Sequence, residues 1–578
     1  MTAVNDFQFH CHNIVRFIAG VFLRFKPLLP ATFDLSKTKI VDFMKRNLKE
    51  RLETLAVVVL LPVLTAVVIF QLKQTTSKPV KVTAVMQADY QSAADHSNYS
   101  ILQQKFDSPH EVTAACLSCH TKRDEEIMAT AHWRWERTEE IPGRGEVTIG
   151  KKNLINNYCT GAQGNNGSCM RCHIGLGWED KSFDFEDPNN IDCLVCHDQT
   201  GTYFKQNGKA GMPATAETAN ALFKVPDYNY VSSNVGLPKR NNCGVCHFHG
   251  GGGNNVKHGD LEEALLDCSR DIDVHMSTEG LNMQCTDCHT TENHNIKGKS
   301  YSVSSANTNR ISCEQCHTAT PHQNRIYDHH TEKIACQTCH IPTYAKANAT
   351  KLWWDWSTAG KSKDGEAFHE SDYEGNHNYL SIKGSFVWDD DVVPEYYWFN
   401  GTADHYINGD TIAEIPLKIN TLFGEYKDST AKIWPVKVHR GKQMYDTQTK
   451  ELMNLKLFAE KPGTGAFWTD LDFDTAAILG MEYNERNYSG SYDFVRTDAY
   501  WPLSHQVAPK EQTLTCTECH SRNGRLSNLN DFYLPGKTYN AYLDWFGYAV
   551  IILSLLGVIS HGIGRYLFNQ KRNQKENN

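Results

Sequence analysis

The stretch Cys116–His120, which reads CLSCH, is the first of eight copies of one pattern, Cys-x-x-Cys-His, in this chain of 578 residues. The paired cysteines are Cys116 and Cys119, Cys169 and Cys172, Cys193 and Cys196, Cys243 and Cys246, Cys285 and Cys288, Cys313 and Cys316, Cys336 and Cys339, and Cys516 and Cys519. The histidines that follow them are His120, His173, His197, His247, His289, His317, His340 and His520. We number these motifs one to eight in chain order.

The motifs match the attachment sequence of c-type haem. The two thiols form thioethers with the porphyrin, and the histidine is an axial ligand of the iron. Zinc and iron–sulfur sites also use Cys-x-x-Cys pairs, but they do not require a histidine directly after the second cysteine. The sequence therefore predicts eight covalently attached haem c groups.

Cysteine usage places the haem-binding part outside the cytoplasm. The motifs take sixteen of the nineteen cysteines and leave Cys11, Cys159 and Cys268. That remainder is too small for a disulfide scaffold, and haem c attachment belongs to the periplasmic side of a bacterial inner membrane.

The net charge of −9 excludes the strongly basic surface of a nucleic-acid-binding protein.

The spacing of the motifs predicts a haem domain over residues 111–540, preceded by a linker over 73–110. We expect a multihaem cytochrome c fold that is mainly α-helical with much loop, with the haems forming the core. Motifs one to seven lie within Cys116–His340, whereas residues 341–515 contain none. Unevenly spaced aromatic residues in that segment favour packing, so we expect it to wrap the haem core. No convincing series of alternating strands is visible there.

Two apolar stretches bracket this domain, over residues 55–72 and 541–568. Each is long enough to cross a bilayer. Basic residues precede the first stretch, over Lys45–Arg51, and follow the second, in the tail 569–578. Because basic flanks face the cytoplasm, the sequence predicts an inner-membrane protein with two anchors and a haem domain in the periplasm.

The N-terminal part has more than one interpretation. We expect residues 55–72 to be an uncleaved anchor, with a cleaved signal peptide as the alternative. Residues 1–54 then form a cytoplasmic or interfacial segment, in which Ile14–Pro30 could lie along the membrane as an amphipathic helix. Alternatively, translation starts at Met44, directly before the apolar stretch.

Haems that only carry electrons use a second strong axial ligand, most often histidine. The candidates close to motifs are His132, His258, His275, His294, His322, His329 or His330, and His505. His439 is a reserve candidate, whereas His10, His12 and His96 lie in membrane or linker regions and are not expected to be ligands. Seven ligands for eight irons leave one iron open to substrate. A lysine amine can take such a position when deprotonated, although a pair such as Lys151-Lys152 is usually solvated.

Lys151–His173, continued by IGLGW, resembles the octahaem tetrathionate reductase family, as do ACLSCH with TAHWRW and NCGVCHFHGGGG with VKHGDL. The resemblance covers roughly residues 100–535. It implies seven haems with two histidine ligands each and a catalytic haem on motif two, with Lys152 or Lys151 as its distal ligand; we prefer Lys152. It also implies an acidic residue at the active site, for which Asp328 is the best match. The anchors depart from the soluble pattern of the family and leave the electron donor open.

These features predict an oxidoreductase of anaerobic respiration that reduces a small oxyanion. Tetrathionate would be cleaved to two thiosulfates, and nitrite and hydroxylamine are further candidates. Lys257, with Lys151 and Lys152, would attract the anion. Electrons would come from a quinol-oxidising membrane partner or a cytochrome. The alternatives are a conduit without catalysis, in which His439 replaces the lysine, and oxidation of hydroxylamine. The oligomeric state stays open.

Two periplasmic cysteines lie outside the motifs, Cys159 and Cys268. We expect neither to attach haem. A disulfide between them is one interpretation, which geometry decides. A reactive Cys159 thiol near motif two is the other.

Overall fold

The structure, a computed structural model, describes residues 94–156, 159–298 and 305–576. The N-terminal segment 1–54, the first anchor 55–72 and most of the linker expected over 73–110 lie outside these residues.

Short helices carry the haem motifs. Helix α1 covers Pro109–Cys119; the Ser108 hydroxyl accepts a hydrogen bond from the Glu111 N–H at its start, and Pro109 occupies the first turn. The other α-helices of the described residues are α2 (Arg123–Met128), α3 (Ala131–Arg134), α4 (Asn166–Cys169), α5 (Leu194–His197), α6 (Tyr228–Ser233), α7 (Arg240–His247), α8 (Cys285–Cys288), α9 (Arg325–His330), α10 (Cys336–His340), α11 (Phe467–Asp470), α12 (Phe473–Tyr483), α13 (Cys516–Cys519) and α14 (Ala541–Glu576). Single turns of 3-10 helix cover His96–Asn98, Ser100–Leu102, Met170–Cys172, Pro188–Asn190, Glu263–Leu266, Cys313–Gln315, Trp356–Thr358 and Lys510–Gln512.

Strands occur mostly after motif seven. The described strands are β1 (Arg137–Ile141), β2 (Gly145–Ile149), β3 (Ile155–Asn156), β4 (Thr160–Gly161), β5 (Thr291–Glu292), β6 (Asn295–Ile296), β7 (Thr350–Asp355), β8 (Ser362–Lys363), β9 (Glu366–Ala367), β10 (His369–Ser371), β11 (His377–Leu380), β12 (Gly384–Asp389), β13 (Glu395–Phe399), β14 (Ala403–His405), β15 (Leu417–Lys418), β16 (Asn420–Leu422), β17 (Lys432–Asp446) and β18 (Tyr492–Pro502).

The haem-free segment folds around one mixed sheet with the strand order β10-β11-β12-β7-β17-β18-β15, and β13 also pairs with β17. The two long strands β17 and β18 run antiparallel, with His439 opposite Ala499. Strand β7 joins β17 in parallel, as β15 joins β18. Buried aromatic residues such as Trp354, Trp356 and Phe467 form the largest core cluster against this sheet.

The expectation of a mainly helical domain without strands over 341–515 is therefore wrong. Strand β17 explains why the sheet was missed. Its buried side chains include Lys437, His439 and Gln443, so a hydropathy pattern does not distinguish its inner face from its outer one. The segment does contain no haem motif, and it packs on the motif region; for example, Ile433 lies in a β-bridge with Ile334.

Helix α14 is long and apolar enough to cross a membrane, with a mean hydropathy of 2.0 in its most apolar window and none of that window buried. It contains the second predicted span, 541–568. Within the described residues it is the single candidate, so the two-anchor arrangement stays a prediction.

Candidate haem centres

Seven motif histidines each face the ring of one other histidine. The ring centroids are 6.2 Å apart for His96 and His120, 6.2 Å for His132 and His247, 6.5 Å for His197 and His294, 6.1 Å for His275 and His317, 6.3 Å for His289 and His505, 6.3 Å for His322 and His340, and 6.1 Å for His330 and His520.

This spacing fits an iron atom between the rings. Metal–imidazole bonds of about 2 Å, with about 1.1 Å more from each nitrogen to its ring centre, put the ring centres of two axial imidazoles about 6.2 Å apart. Two imidazoles in direct stacking contact would lie closer, as aromatic pairs can from about 4.5 Å. The seven pairs therefore have the geometry of haem iron with two histidine ligands.

Hydrogen bonds from Nδ1 fix the tautomer of several of these rings. His197 donates to the Gly236 carbonyl at 2.8 Å, and His520 donates to the Pro535 carbonyl at 3.0 Å. On the opposite side, His294 donates to Glu126 at 2.8 Å. Such bonds leave Nε2 with a free lone pair for a metal and increase its basicity.

Six of the candidates chosen from the sequence lie in these pairs: His132, His275, His294, His322, His330 and His505. His258 does not; its ring packs against Trp501 at 5.2 Å. His96, which the sequence analysis set aside, takes the remaining place. Between the two alternatives at the end of α9, His330 faces His520, whereas His329 is exposed and bonds to Glu332.

Motif two differs from the other seven. The ring of His173 is 1% exposed and, within the described residues, its ring contacts are all with aromatic side chains. They are Trp133, Trp135, Trp178, Phe183 and Phe185, at centroid distances of 4.8–6.0 Å. We call these five rings the aromatic cage. Burial lowers the pKa of His173 to about 3, so the ring is neutral.

Backbone groups engage both nitrogens of His173. Its Nε2 donates to the Trp133 carbonyl at 2.5 Å, and its Nδ1 accepts from the Gly175 N–H at 3.1 Å. Within the described residues, the aromatic cage occupies the space between the two lysines and His173. Cys169 and Cys172 pack on the same cage, so the three attachment residues of motif two lie together. Unlike the histidines of the seven pairs, His173 has its Nε2 bonded to a backbone carbonyl and faces no second histidine ring among the described residues.

Both candidate lysines touch the cage from outside. The turn that follows β2 carries them, and Gly150 packs so tightly on the Trp135 carbonyl that a Cβ there would lie 2.0 Å from the oxygen. Lys151 Nζ is 4.7 Å from the centre of the Trp135 ring. Lys152 Nζ is 4.2 Å from the Phe185 ring centre and forms an ion pair with Glu136 at 2.6 Å. Glu136 was missed because nothing in its local sequence sets it apart.

Asp328 lies at a different centre. Its carboxylate accepts hydrogen bonds from the backbone N–H and Nδ1 of His322, at 3.0 and 2.9 Å. His322 faces His340, so Asp328 orients a ring of the motif-seven pair. The role beside the motif-two lysines that the resemblance implied for Asp328 is not supported by these contacts. The carboxylate bonded to Lys152 is Glu136.

Buried lysines surround the region next to motif two. Burial, with repulsion from Lys151, lowers the pKa of Lys257 to about 7. Its Nζ lies 4.8 Å from the centre of the Trp501 ring. Lys351 is also buried, and burial with repulsion from Lys383 holds its pKa well below the usual value. Lys257 therefore carries its charge mainly below about pH 7, where it adds the positive potential that an anion site requires.

Cys159 and Cys268 are both free thiols. They belong to different hydrophobic clusters, Cys159 at the sheet and Cys268 with Phe248 and Leu265, so the disulfide interpretation is wrong. Burial raises the pKa of Cys159 to about 11, which keeps it protonated and argues against a reactive thiol.

Neighbouring motifs lie against one another through their cysteines. Four pairs of thiols from different motifs lie close enough to shift each other's pKa: Cys116 and Cys193, Cys172 and Cys246, Cys243 and Cys285, and Cys313 and Cys336. A weaker electrostatic influence on the pKa relates Cys196 to Cys243, Cys288 to Cys316, and Cys339 to Cys519. By this proximity motif eight neighbours seven, seven neighbours six, six neighbours five and five neighbours four; motif four also neighbours motifs two and three, and three neighbours one.

The motifs, the paired histidines and their contiguity define a multihaem c-type cytochrome. Residues 351–523 match the family model "Cytochrome c bacterial", and residues 260–318 match "Cytochrome c554 and c-prime". The crystal structure of an octahaem cytochrome c from Shewanella oneidensis is similar, with 41% identity, a TM-score of 0.68, and coverage of 76% of this chain and 97% of that one. An uncharacterised protein of Archaeoglobus fulgidus is 25% identical over 243 residues, 35% of this chain and 79% of its own length. The chain belongs to the octahaem c-type cytochrome family.

Proposed function

We propose that this protein is a periplasmic, membrane-anchored octahaem oxidoreductase that reduces a small oxyanion at motif two. The observation that carries the proposal is the isolation of His173: the other seven motif histidines each face a histidine, and His173 faces none among the described residues. A site without a second histidine is where substrate can reach iron.

In the seven pairs, the motif cysteines would attach each haem and the two histidines would bind its iron, which gives electron carriers. At motif two, Cys169, Cys172 and His173 would hold the eighth haem, with Lys152 or Lys151 on the other side. The haem there supplies electrons to the substrate when bound.

The protein's own groups set the conditions around motif two. The aromatic cage excludes water from His173. Lys151, Lys152 and Lys257 provide positive charge for an incoming anion. Glu136 bonds to Lys152 and is 41% exposed at its side chain, so it connects that ammonium group with solvent. The lysines beside the cage support anion reduction better than passive electron transfer, which needs no positive charge for a substrate.

Tetrathionate is the first substrate we propose, since the resemblance of Lys151–His173 points to it. The dianion takes up two electrons, its central S–S bond breaks, and two thiosulfate dianions leave. Nitrite and hydroxylamine are the second choice, because both are small enough to bind iron directly.

The test is turnover by the purified holoprotein with a reduced viologen as electron donor. Tetrathionate, nitrite and hydroxylamine are compared at equal concentration, with thiosulfate as a control that should not be reduced. We expect tetrathionate to give the highest kcat/KM. Absence of turnover with all three substrates, in protein shown by mass to carry eight haems, would favour the conduit interpretation.

A further inference from the structure

Three of the seven facing pairs have a carboxylate on the histidine that does not belong to a motif. The distance from Nδ1 to the nearest carboxylate oxygen is 2.8 Å for His294 and Glu126, 2.9 Å for His322 and Asp328, and 3.3 Å for His505 and Asp260. These histidines face motifs three, seven and five. An imidazole that binds iron through Nε2 keeps its proton on Nδ1, so in these pairs the proton points at a negative charge.

The other rings of the seven pairs show no such carboxylate among the described residues. Three motif histidines donate from Nδ1 to neutral backbone carbonyls at 2.8–3.0 Å: His197, His289 and His520. The buried Nδ1 of His96 has no hydrogen-bond partner in the described part of the chain. At motif six an Asp273 oxygen lies 3.9 Å from Nδ1 of His275, which is too long for a hydrogen bond. The carboxylates therefore distinguish three pairs from the other four.

The protein fixes these carboxylates in place. Asp260 is 3% exposed, and the oxygen that faces His505 also accepts hydrogen bonds from the backbone N–H groups of Ser504 and His505, at 2.7 and 2.9 Å. With three N–H groups directed at one oxygen, Asp260 acts as an acceptor, and its burial leaves little water to screen the charge. Asp328 is held similarly, by the backbone N–H of His322 at 3.0 Å.

We infer that Glu126, Asp260 and Asp328 are positioning residues that each lower the midpoint potential of one haem. The inference rests on the haem assignment of the seven pairs and does not depend on the substrate. A carboxylate that accepts the Nδ1 proton makes the imidazole a more basic ligand, and its negative charge stabilises ferric over ferrous iron. An electron on the haem of motif three, five or seven therefore has a larger driving force for transfer to an acceptor than it would have with a neutral partner.

The test is a redox titration of the full-length holoprotein, followed by the absorption of the ferrous haems. Asp260→Asn keeps the size of the side chain and removes its charge. We expect one component of the titration to move to higher potential, with the reduced-to-oxidised ratio of that haem at a fixed potential rising about tenfold, a shift of about 59 mV. Glu126→Gln and Asp328→Asn should each shift one component in the same direction, and the triple variant should shift three.

Glu126→Gln keeps the test decisive if Asp260→Asn does not fold, because helix α2 has no buried residues. Electron paramagnetic resonance is recorded on the same samples. Low-spin signals without a new high-spin signal show that both histidines remain on the iron, so that a shift in potential does not come from loss of a ligand. The titration contains no substrate, so its result is independent of whether the protein reduces tetrathionate.

Two matched variants separate the Nδ1 hydrogen bond from packing and from general charge. Asp273 is also 3% exposed and accepts the backbone N–H of His275 at 2.8 Å, so Asp273→Asn should give a smaller shift than Asp260→Asn. Arg123 pairs with the other oxygen of Glu126, so Arg123→Met should move the motif-three component to lower potential. An equal shift in Asp273→Asn, a shift to higher potential in Arg123→Met, or unchanged potentials in Glu126→Gln would each overturn the inference.

Discussion

His96 and His120 lie with their rings nearly parallel, 22° apart and 6.2 Å between centroids, although 24 residues separate them in the chain. His96 occupies a single 3-10 turn that Asp95 caps by accepting a hydrogen bond from the Ser97 N–H. The pairing supports His96, which the sequence analysis set aside, as the second ligand of motif one. It also completes the set of seven facing histidines without His258.

We predict that His96→Ala leaves all haems attached but converts one low-spin iron to high spin. The reason is that the alanine removes one axial ligand and leaves the thioether bonds intact. Electron paramagnetic resonance detects the high-spin iron, and the absorption band typical of high-spin haem gives a second measure of the same change. His258→Ala is the control, because its ring packs on Trp501, and it should leave the spin state unchanged. A high-spin signal in His258→Ala and none in His96→Ala would contradict the pairing.

The second prediction concerns the two lysines at motif two. If Lys152 is the distal ligand, Lys152→Leu should produce a new high-spin iron and change turnover strongly. Lys151 then contributes only charge, so Lys151→Leu should chiefly weaken substrate binding. Spin state and KM are measured separately on each variant. Unchanged spectra and activity in both variants would exclude lysine ligation.

The haem motifs and most of their partner histidines could be predicted from the sequence, because haem attachment uses a contiguous pattern and six ligands lie near a motif. His96 and Glu136 could not. Each becomes recognisable only once the chain has folded, His96 through its approach to His120 and Glu136 through its ion pair with Lys152.

The sheet was missed for a related reason. Haem proteins replace part of the apolar core with cofactor, so strands such as β17 bury polar side chains that would ordinarily indicate a solvent-facing position. Lys437 is fully buried there, with its ammonium group bonded to the Val256 carbonyl at 2.9 Å and to the Thr350 hydroxyl at 2.5 Å. Such partners come from distant parts of the chain and are not visible in a local pattern.

The third prediction follows from Lys257. Burial depresses its pKa to about 7, so it carries a charge mainly below that pH. Tetrathionate stays a dianion across this range. We therefore expect its KM to rise severalfold between about pH 6 and pH 8 as Lys257 loses its proton. The Lys257→Met variant should show a high KM that no longer changes over this interval. A pH dependence that persists in Lys257→Met would assign it to another group.

The final prediction concerns Lys205, a buried lysine beneath His173. Its ammonium group donates to the carbonyls of His173 and Gly175 at 2.5 and 2.8 Å, and lies 3.3 Å from a carboxylate oxygen of Asp192. Both side chains of this ion pair are at most 2% exposed.

Replacing Lys205 by Met removes one partner of this buried pair and leaves the Asp192 charge without its counterion. Such a change typically costs about 3–5 kcal/mol of unfolding free energy, which denaturant titration measures.

Lys205→Met should also lower the midpoint potential of the motif-two haem, because a positive charge near an iron disfavours its oxidised state. Asp192→Asn should shift that potential in the opposite direction, since it removes the negative partner and keeps Lys205. Lys205→Arg preserves the charge and should restore most of the potential. If potentiometry shows shifts of the same sign in Lys205→Met and Asp192→Asn, the effect comes from packing and not from the charge that Lys205 places beside His173.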